Sequence, residues 1–267
     1  MTENELTIRL IFFFGIFTAM ALWEFKSPKR PLSLSRKLRW SNNLGLLVVN
    51  SVLLKIFFPT AAVGFALQAE AKGWGLFNQL DLPSWLVILC SVILLDLAIY
   101  WQHRLFHRIP MLWQYHQVHH ADLDYDVTTA TRFHPIEILL SMVIKMVAIM
   151  LIGAPALAVM LFEIILNGCA MFNHGNVQLP TPIDKAVRTV LVTPDMHRVH
   201  HSVVRREHDS NYGFNLSIWD RLFGSYVAQP AAGHLGMEIG LKKYRDPKKQ
   251  LITELLKMPF SDAKAQK

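Results

Sequence analysis

The residues of this chain best suited to chemistry are its histidines. The stretch His103 to His120, HRLFHRIPMLWQYHQVHH, sets five imidazoles directly after an apolar run. Residues three and four apart share a helix face, so His103 and His107 project together. His116, His119 and His120 do the same from a second short helix, with Pro110 between the two. HRVHH repeats the later spacing at His197, His200 and His201. Neutral imidazole is a good ligand for iron, zinc, copper and nickel. Eight histidines in three clusters exceed what one tetrahedral zinc can use. The pattern therefore predicts two metal ions, with His174, in NHGN at the end of an apolar helix, expected to add a ninth imidazole.

Other polar residues near these clusters carry weaker expectations. Asp96 precedes His103 by seven residues and shares its helical face. A carboxylate there either receives an imidazole N–H and so orients a ligand, or bonds between helices. His134, in RFHP at a helix start, is read equally as touching the site or its substrate and as structural. Asp122, Asp124 and Asp126 are expected to be solvated loop acids. His208 and His234 lie in polar loops and are expected to take no part in the site.

The elements that must position these groups are membrane helices. Hydrophobic residues make up 52% of the 267 and charged ones only 18%, too apolar a balance for an ordinary soluble domain. Leu6 to Phe25 supplies about the 20 residues that a bilayer core requires. The start MTENELTIR lacks the basic region of a cleavable signal peptide, so this segment is expected to stay as an anchor. A second span is expected from Asn42 to about Leu67, interrupted by Lys55 and kinked at Pro59, and a third from Ser84 to Trp101. Ile136–Ile152 and Ala156–Phe172 form a hairpin, fully crossing or re-entrant, that returns the chain to the side it left.

The basic loop Lys26 to Arg39 is cytoplasmic by the positive-inside rule, which places every histidine cluster and the C-terminus on that side. The expected fold is all-α: a multi-pass membrane helical bundle with a cytosolic histidine-rich helical cap holding a dinuclear metal site. Residues 1–82 would be an anchor region with two transmembrane helices, 83–230 the catalytic domain and 231–267 a cytosolic tail. The formal charge of +7 sits beside apolar segments without any nucleic-acid-reader signature, so topology explains it and no nucleic-acid partner is expected. Two cysteines, Cys90 and Cys169, have no partner spacing and support neither a disulfide framework nor a thiolate site.

Neutral imidazoles bring no negative charge, so two divalent ions would make a strongly positive centre suited to oxygen chemistry. Two adjacent irons can together supply electrons to dioxygen for attack on an unactivated C–H bond, which no side chain performs alone. The set HRLFH, HQVHH, NHGN and HRVHH, in this order between apolar runs, resembles the fatty acid hydroxylase and sterol desaturase superfamily of integral-membrane di-iron oxygenases. RFHPIE and NYGFNLSIWDRLFGSY extend the likeness, which covers roughly Ser84 to Tyr226.

The resemblance implies His103, His107, His116, His119, His120, His197, His200 and His201 as metal ligands, with His174 matching a further family histidine. It implies two Fe ions, O2 as co-substrate and a lipid substrate such as a sterol, isoprenoid or fatty acyl lipid, to be hydroxylated or desaturated. Zinc could replace iron during isolation. Family donors are of cytochrome b5, ferredoxin or pterin type, and with no CxxCH or multi-Cys run here the donor is expected to be separate. The alternative is a membrane metal-binding or metal-handling protein. Transporters place polar ligands near the bilayer midplane in broken helices, whereas these clusters follow the ends of spans.

Overall fold

The computed structural model describes residues 2–261, and every named element within them is a helix. Five stretches are long and apolar enough to cross a membrane: Asn4–Lys26, Arg36–Gln79, Ser84–Arg108, Pro135–Ile152 and Ala156–Asn173. Large apolar side chains point outward along them, with Ile11, Val48, Trp85 and Leu151 each at least 63% exposed. In water such a belt would be a liability; in a bilayer it is the lipid-facing surface. The protein is a multi-pass membrane bundle.

Helix α1 spans Thr2–Lys26 and α2 spans Arg36–Phe57, begun by Ser35, whose hydroxyl accepts the Leu38 N–H at 3.2 Å. The expected kink at Pro59 is a full break, with Ala61 at φ 52° opening the short α3, Ala61–Ala71. The second expected span is thus two helices. The loop after α3 closes the far end of the bundle at a backbone contact that only glycine permits. A Cβ on Gly75 would sit 2.2 Å from Gly153 N, and both residues have positive φ.

Helix α4, Ser84–Arg108, packs on α6, Pro135–Ile152, and α7, Ala156–Asn173. Leu95, Ile99, Met142, Ile149, Val159 and Phe162 form the buried core with Ala62 and Ala66 of α3. Between α4 and α5, Pro110–His120, only Ile109 is extended, and Pro110 sits where its missing N–H is no loss. The chain doubles back there, laying α5 against the end of α4. Two further short helices, α8 at Thr181–Val187 and α9 at Pro194–His200, follow the bundle.

The three loop aspartates are buried, contrary to expectation, because their partners lie some ninety residues upstream. Arg39 forks onto Asp122 at 2.8 Å and also pairs with Asp126, while Asp124 accepts the Ser33 and Leu34 N–H groups, both at 2.8 Å. Glu24 of α1 accepts the Val127 N–H at 2.7 Å and the Asn176 N–H at 2.8 Å. The first two helices are therefore stitched to the cap. Residues near the C-terminus also fold back. Leu255 and Met258, on the helix Ile252–Ser261, pack on Leu46 and Val118, and buried Gln250 receives the Arg132 guanidinium at 2.8 Å.

Candidate metal centre

The last two turns of α4 supply His103 and His107; α5 supplies His116, His119 and His120. His174 is the C-cap of α7, and α9 with the residue after it gives His197, His200 and His201. Every one of these side chains is buried. They fall into two groups, His103, His107, His116, His120 and His200 in one, His119, His174, His197 and His201 in the other. Within each group the ligand-capable atoms lie within 4.8 Å of one another.

Five rings are fixed through Nδ1. His103 faces Tyr212 O at 2.8 Å, His200 faces Ser210 O at 2.6 Å, His174 faces Ala170 O at 2.8 Å and His119 faces Arg132 O at 3.3 Å. A carbonyl can only accept, so in each of these rings Nδ1 donates and Nε2 carries the lone pair. His116 Nδ1 meets Glu137 Oε1 at 2.6 Å, which fixes that ring in the same sense.

The consequence is a set of bare nitrogens facing inward. Nε2 of His103, His116 and His200 has no hydrogen-bond partner, and neither does either ring nitrogen of His107, His120 or His201, although His107 Nδ1 lies 3.6 Å from an Asp209 oxygen. In the second group His119 Nε2 and His174 Nε2 lie 3.1 Å apart, and both Nδ1 atoms already hold the ring proton. Two lone pairs thus oppose each other with no hydrogen between them. His197 Nε2 approaches the same point, also 3.1 Å from His174 Nε2. Buried polar atoms without partners are rare and unfavourable, and cations are what this donor set lacks. The residues fit two metal ions, one in each group.

Burial also sets the charge state. It drives the His116 and His174 imidazoles down to about 3 and holds His119, His120, His197, His200 and His201 well below the ordinary range. All are neutral at physiological pH, the form that ligates a metal.

Other candidates lie elsewhere than expected. Asp96 contacts no imidazole: it accepts Trp219 Nε1 at 2.8 Å and the Leu216 and Asn215 N–H groups at 3.1 and 3.3 Å. The segment after the last histidine motif crosses α4 there and supplies three donors. Asp220 in that segment accepts the Tyr212 and Gly213 N–H groups at 2.7 and 2.8 Å. The two aspartates together hold the strand of backbone whose Tyr212 carbonyl orients His103. His134 caps α6 by accepting the Ile136 N–H at 3.2 Å, and its Nε2 reaches Leu256 O at 3.3 Å, so it joins neither histidine group.

His208 reverses its expectation. It is buried, its ring centroid 4.6 Å from that of His120 and 4.9 Å from that of His107, and it groups with His107 and Asp209 as a third possible ligand cluster. Its pKa falls to about 4 through burial. His234 stays apart from the histidine groups, 3.6 Å from Asp195. Glu137 is the site residue that sequence reasoning passed over. An acid in the first turn of a helix is already explained by the helix dipole, so nothing local marked it.

From His103, His116 and Glu137 a cavity of about 270 Å³ runs into the membrane bundle between α1, α2, α4, α6 and α7. Ile99, Met142, Leu166 and Phe214 make its apolar walls, and Arg9, Lys145 and Glu163 also line it.

A family model described as fatty acid hydroxylase matches residues 88–225. Curated relatives include ornithine lipid hydroxylase OlsE of Rhizobium tropici, 32% identical over 149 residues that cover 55% of this chain and 44% of that protein. Alkylglycerol monooxygenase of Homo sapiens is 32% identical over 139 residues, 50% of this chain and 29% of that protein. The same-named protein of Xenopus tropicalis is 30% identical over 166 residues, 58% and 34% of the two chains. The chain thus spans less than half the length of these relatives. No solved structure matches.

Proposed function

The chain belongs to the fatty acid hydroxylase family, and from that premise we propose that it is a di-iron oxygenase that hydroxylates a C–H bond of a membrane lipid. The observation that carries this reading is the pair of opposed lone pairs on His119 and His174, set in a nine-imidazole cluster beside a membrane-facing apolar cavity. Two irons held by the groups of five and four imidazoles would supply redox chemistry toward O2 that side chains lack. Hydroxylation consumes one O2, two electrons and two protons per C–H bond and releases water, so an electron donor is required, which we propose to be of cytochrome b5, ferredoxin or pterin type.

The protein's own residues do the positioning. Glu137 and the carbonyls of Tyr212, Ser210, Ala170 and Arg132 fix the imidazoles before any metal arrives. The buried cap excludes water from the reacting carbon, and the apolar walls direct a lipid chain toward His103 and His116. Residues 83–230 act as the catalytic unit, and the cap and C-terminus face the cytoplasm, a reading supported by the basic loop Lys26 to Arg39.

The named activities of the relatives, hydroxylation of an ornithine lipid and monooxygenation of alkylglycerol, favour oxygen insertion over desaturation. The test is lipid profiling by mass spectrometry of a host with and without the gene. A lipid gaining the mass of one oxygen, in a manner dependent on iron and O2, is expected. Loss of two hydrogens would establish desaturation, and iron- and O2-independent behaviour with altered metal uptake would establish the metal-handling alternative.

A further inference from the structure

The cavity has a second polar end. Lys145 of α6 donates to Glu163 of α7 at 2.7 Å, and Arg9 of α1 reaches the other Glu163 oxygen at 3.0 Å. All three line the cavity. The side chains of Lys145 and Glu163 are 13% and 4% exposed, inside helices read as membrane spans. Charged groups at such depth are expensive and mark functional sites by default.

Depth along the helices separates this cluster from the metals. Glu137 holds His116 at the cap end of α6, and Lys145 lies eight residues further along the same helix, a rise of about 12 Å. On this part of the cavity wall two cations share one carboxylate; among the described residues the other acid bonded to Arg9 is Glu5, at 3.1 Å, which does not line the cavity. Lys145 uses one of its three N–H donors on Glu163. The wall at this end therefore offers more donors than acceptors and more positive charge than negative. Between the two polar ends the lining is mostly apolar, interrupted by Ser141, bonded to Gln102, and by Asn167.

We propose that Lys145, with Arg9, binds the anionic oxygen-rich end of the lipid, a carboxylate or a phosphate, so that the carbon presented to the imidazoles lies roughly 12 Å away along the chain. The substrate class is an acidic acyl or alkyl lipid attacked in its chain, not at its head group. Glu163 is a positioning residue: it holds the two cations together and faces them into the cavity. Arg9 lies outside the family-matched residues 88–225, so the first helix adds a specificity element that the match does not contain. This inference rests on the oxygenase reading for its turnover but not for its binding.

The test uses the full, iron-loaded chain in nanodiscs, under argon so that no turnover occurs, with hexadecanoic acid, hexadecyl phosphate and hexadecan-1-ol as probes. The native chain should bind the acid, the phosphate or both at least about tenfold more tightly than the alcohol, and which of the two is favoured identifies the end group. Lys145→Met should reduce the preferred anion to the level of the alcohol and leave alcohol binding and iron content unchanged, while Lys145→Arg should keep the preference. Where Lys145→Met does not fold, the double variant Lys145→Met/Glu163→Met removes the pair together, a replacement that buried ion pairs often tolerate.

Equal binding of acid, phosphate and alcohol by the native chain, or a preference that survives Lys145→Met, would overturn the proposal. In air, with an electron donor and acids of different length, the oxygen should enter at a fixed number of carbons from the acid. A position fixed from the methyl end would also overturn it. Discrimination among the probes with no oxygenated product would instead sink the oxygenase reading and leave the binding site standing.

Discussion

Glu137 Oε1 lies 2.6 Å from His116 Nδ1, and its other oxygen is buried with no partner of its own. Carboxylates placed this way raise the basicity of a ligand imidazole and hold its ring in one orientation. Their loss typically weakens metal affinity or activity by about 10 to 100-fold. Glu137→Gln should show that loss in a chelator competition against the native chain, with the helical far-UV signal unchanged. Metal affinity equal to native would show that the carboxylate only fills space.

The two histidine groups should behave as two sites. Native protein reconstituted with iron under anaerobic conditions should hold close to two ions per chain by elemental analysis. His174→Ala and His200→Ala remove one member from the group of four and from the group of five respectively, so each should lower occupancy toward one. A native ratio of one would mean that the groups form a single centre.

His208 and His134 should part company. His208→Ala removes a buried ring packed on His107 and His120 and should weaken metal binding by roughly tenfold. His134→Ala removes a helix cap and should lower stability by about 1 kcal/mol with metal content intact. The thermal melt and the iron content of each variant decide it, and a metal-free His134→Ala protein that still melts like the native would reverse the assignment.

Acid should destabilise the metal-free fold. The His116 and His174 pKa values are about 3 in the folded chain, below the roughly 6.5 of an unfolded imidazole. Between those values the unfolded chain binds more protons, so this stability is present above about pH 6.5 and is lost progressively as pH falls below it. The melting temperature of the apo-protein should drop between pH 7 and pH 5. A flat profile would mean that the rings are not held neutral.

Reporter fusions should locate the cap. Fusions after Leu34 and at the C-terminus should read cytoplasmic and one near Gly73 external. An external signal after Leu34 would invert the topology.

The parts of this architecture readable from sequence are those that depend on local repetition. Apolar runs of near bilayer length and histidines at helical spacing carry their meaning within a few residues, and all nine expected imidazoles converge in the fold. What could not be read depends on partners far along the chain. Asp96 takes its three donors from residues 215–219, some 120 positions away, and no local pattern says that this segment crosses α4. Asp122 and Asp126 look like solvent-facing loop acids until α2 brings Arg39 against them. His208 sits in a polar stretch, yet the turn after the last histidine motif folds it beneath Trp113 and His120.

The bonds of Glu24 also bear on how the protein is made. One oxygen of its carboxylate accepts the Val127 N–H and also that of Asn176, synthesised 152 residues after Glu24. At translation rates of about 5 to 20 residues per second, α1 must wait on the order of 8 to 30 s for that partner. Until then the Glu24 carboxylate lacks its second donor, and four of the nine imidazoles, His174 onward, are the last to emerge. Completion of the two histidine groups is therefore a late event in synthesis, and a ribosome stalled before residue 176 would leave an inserted bundle unable to close its own cap.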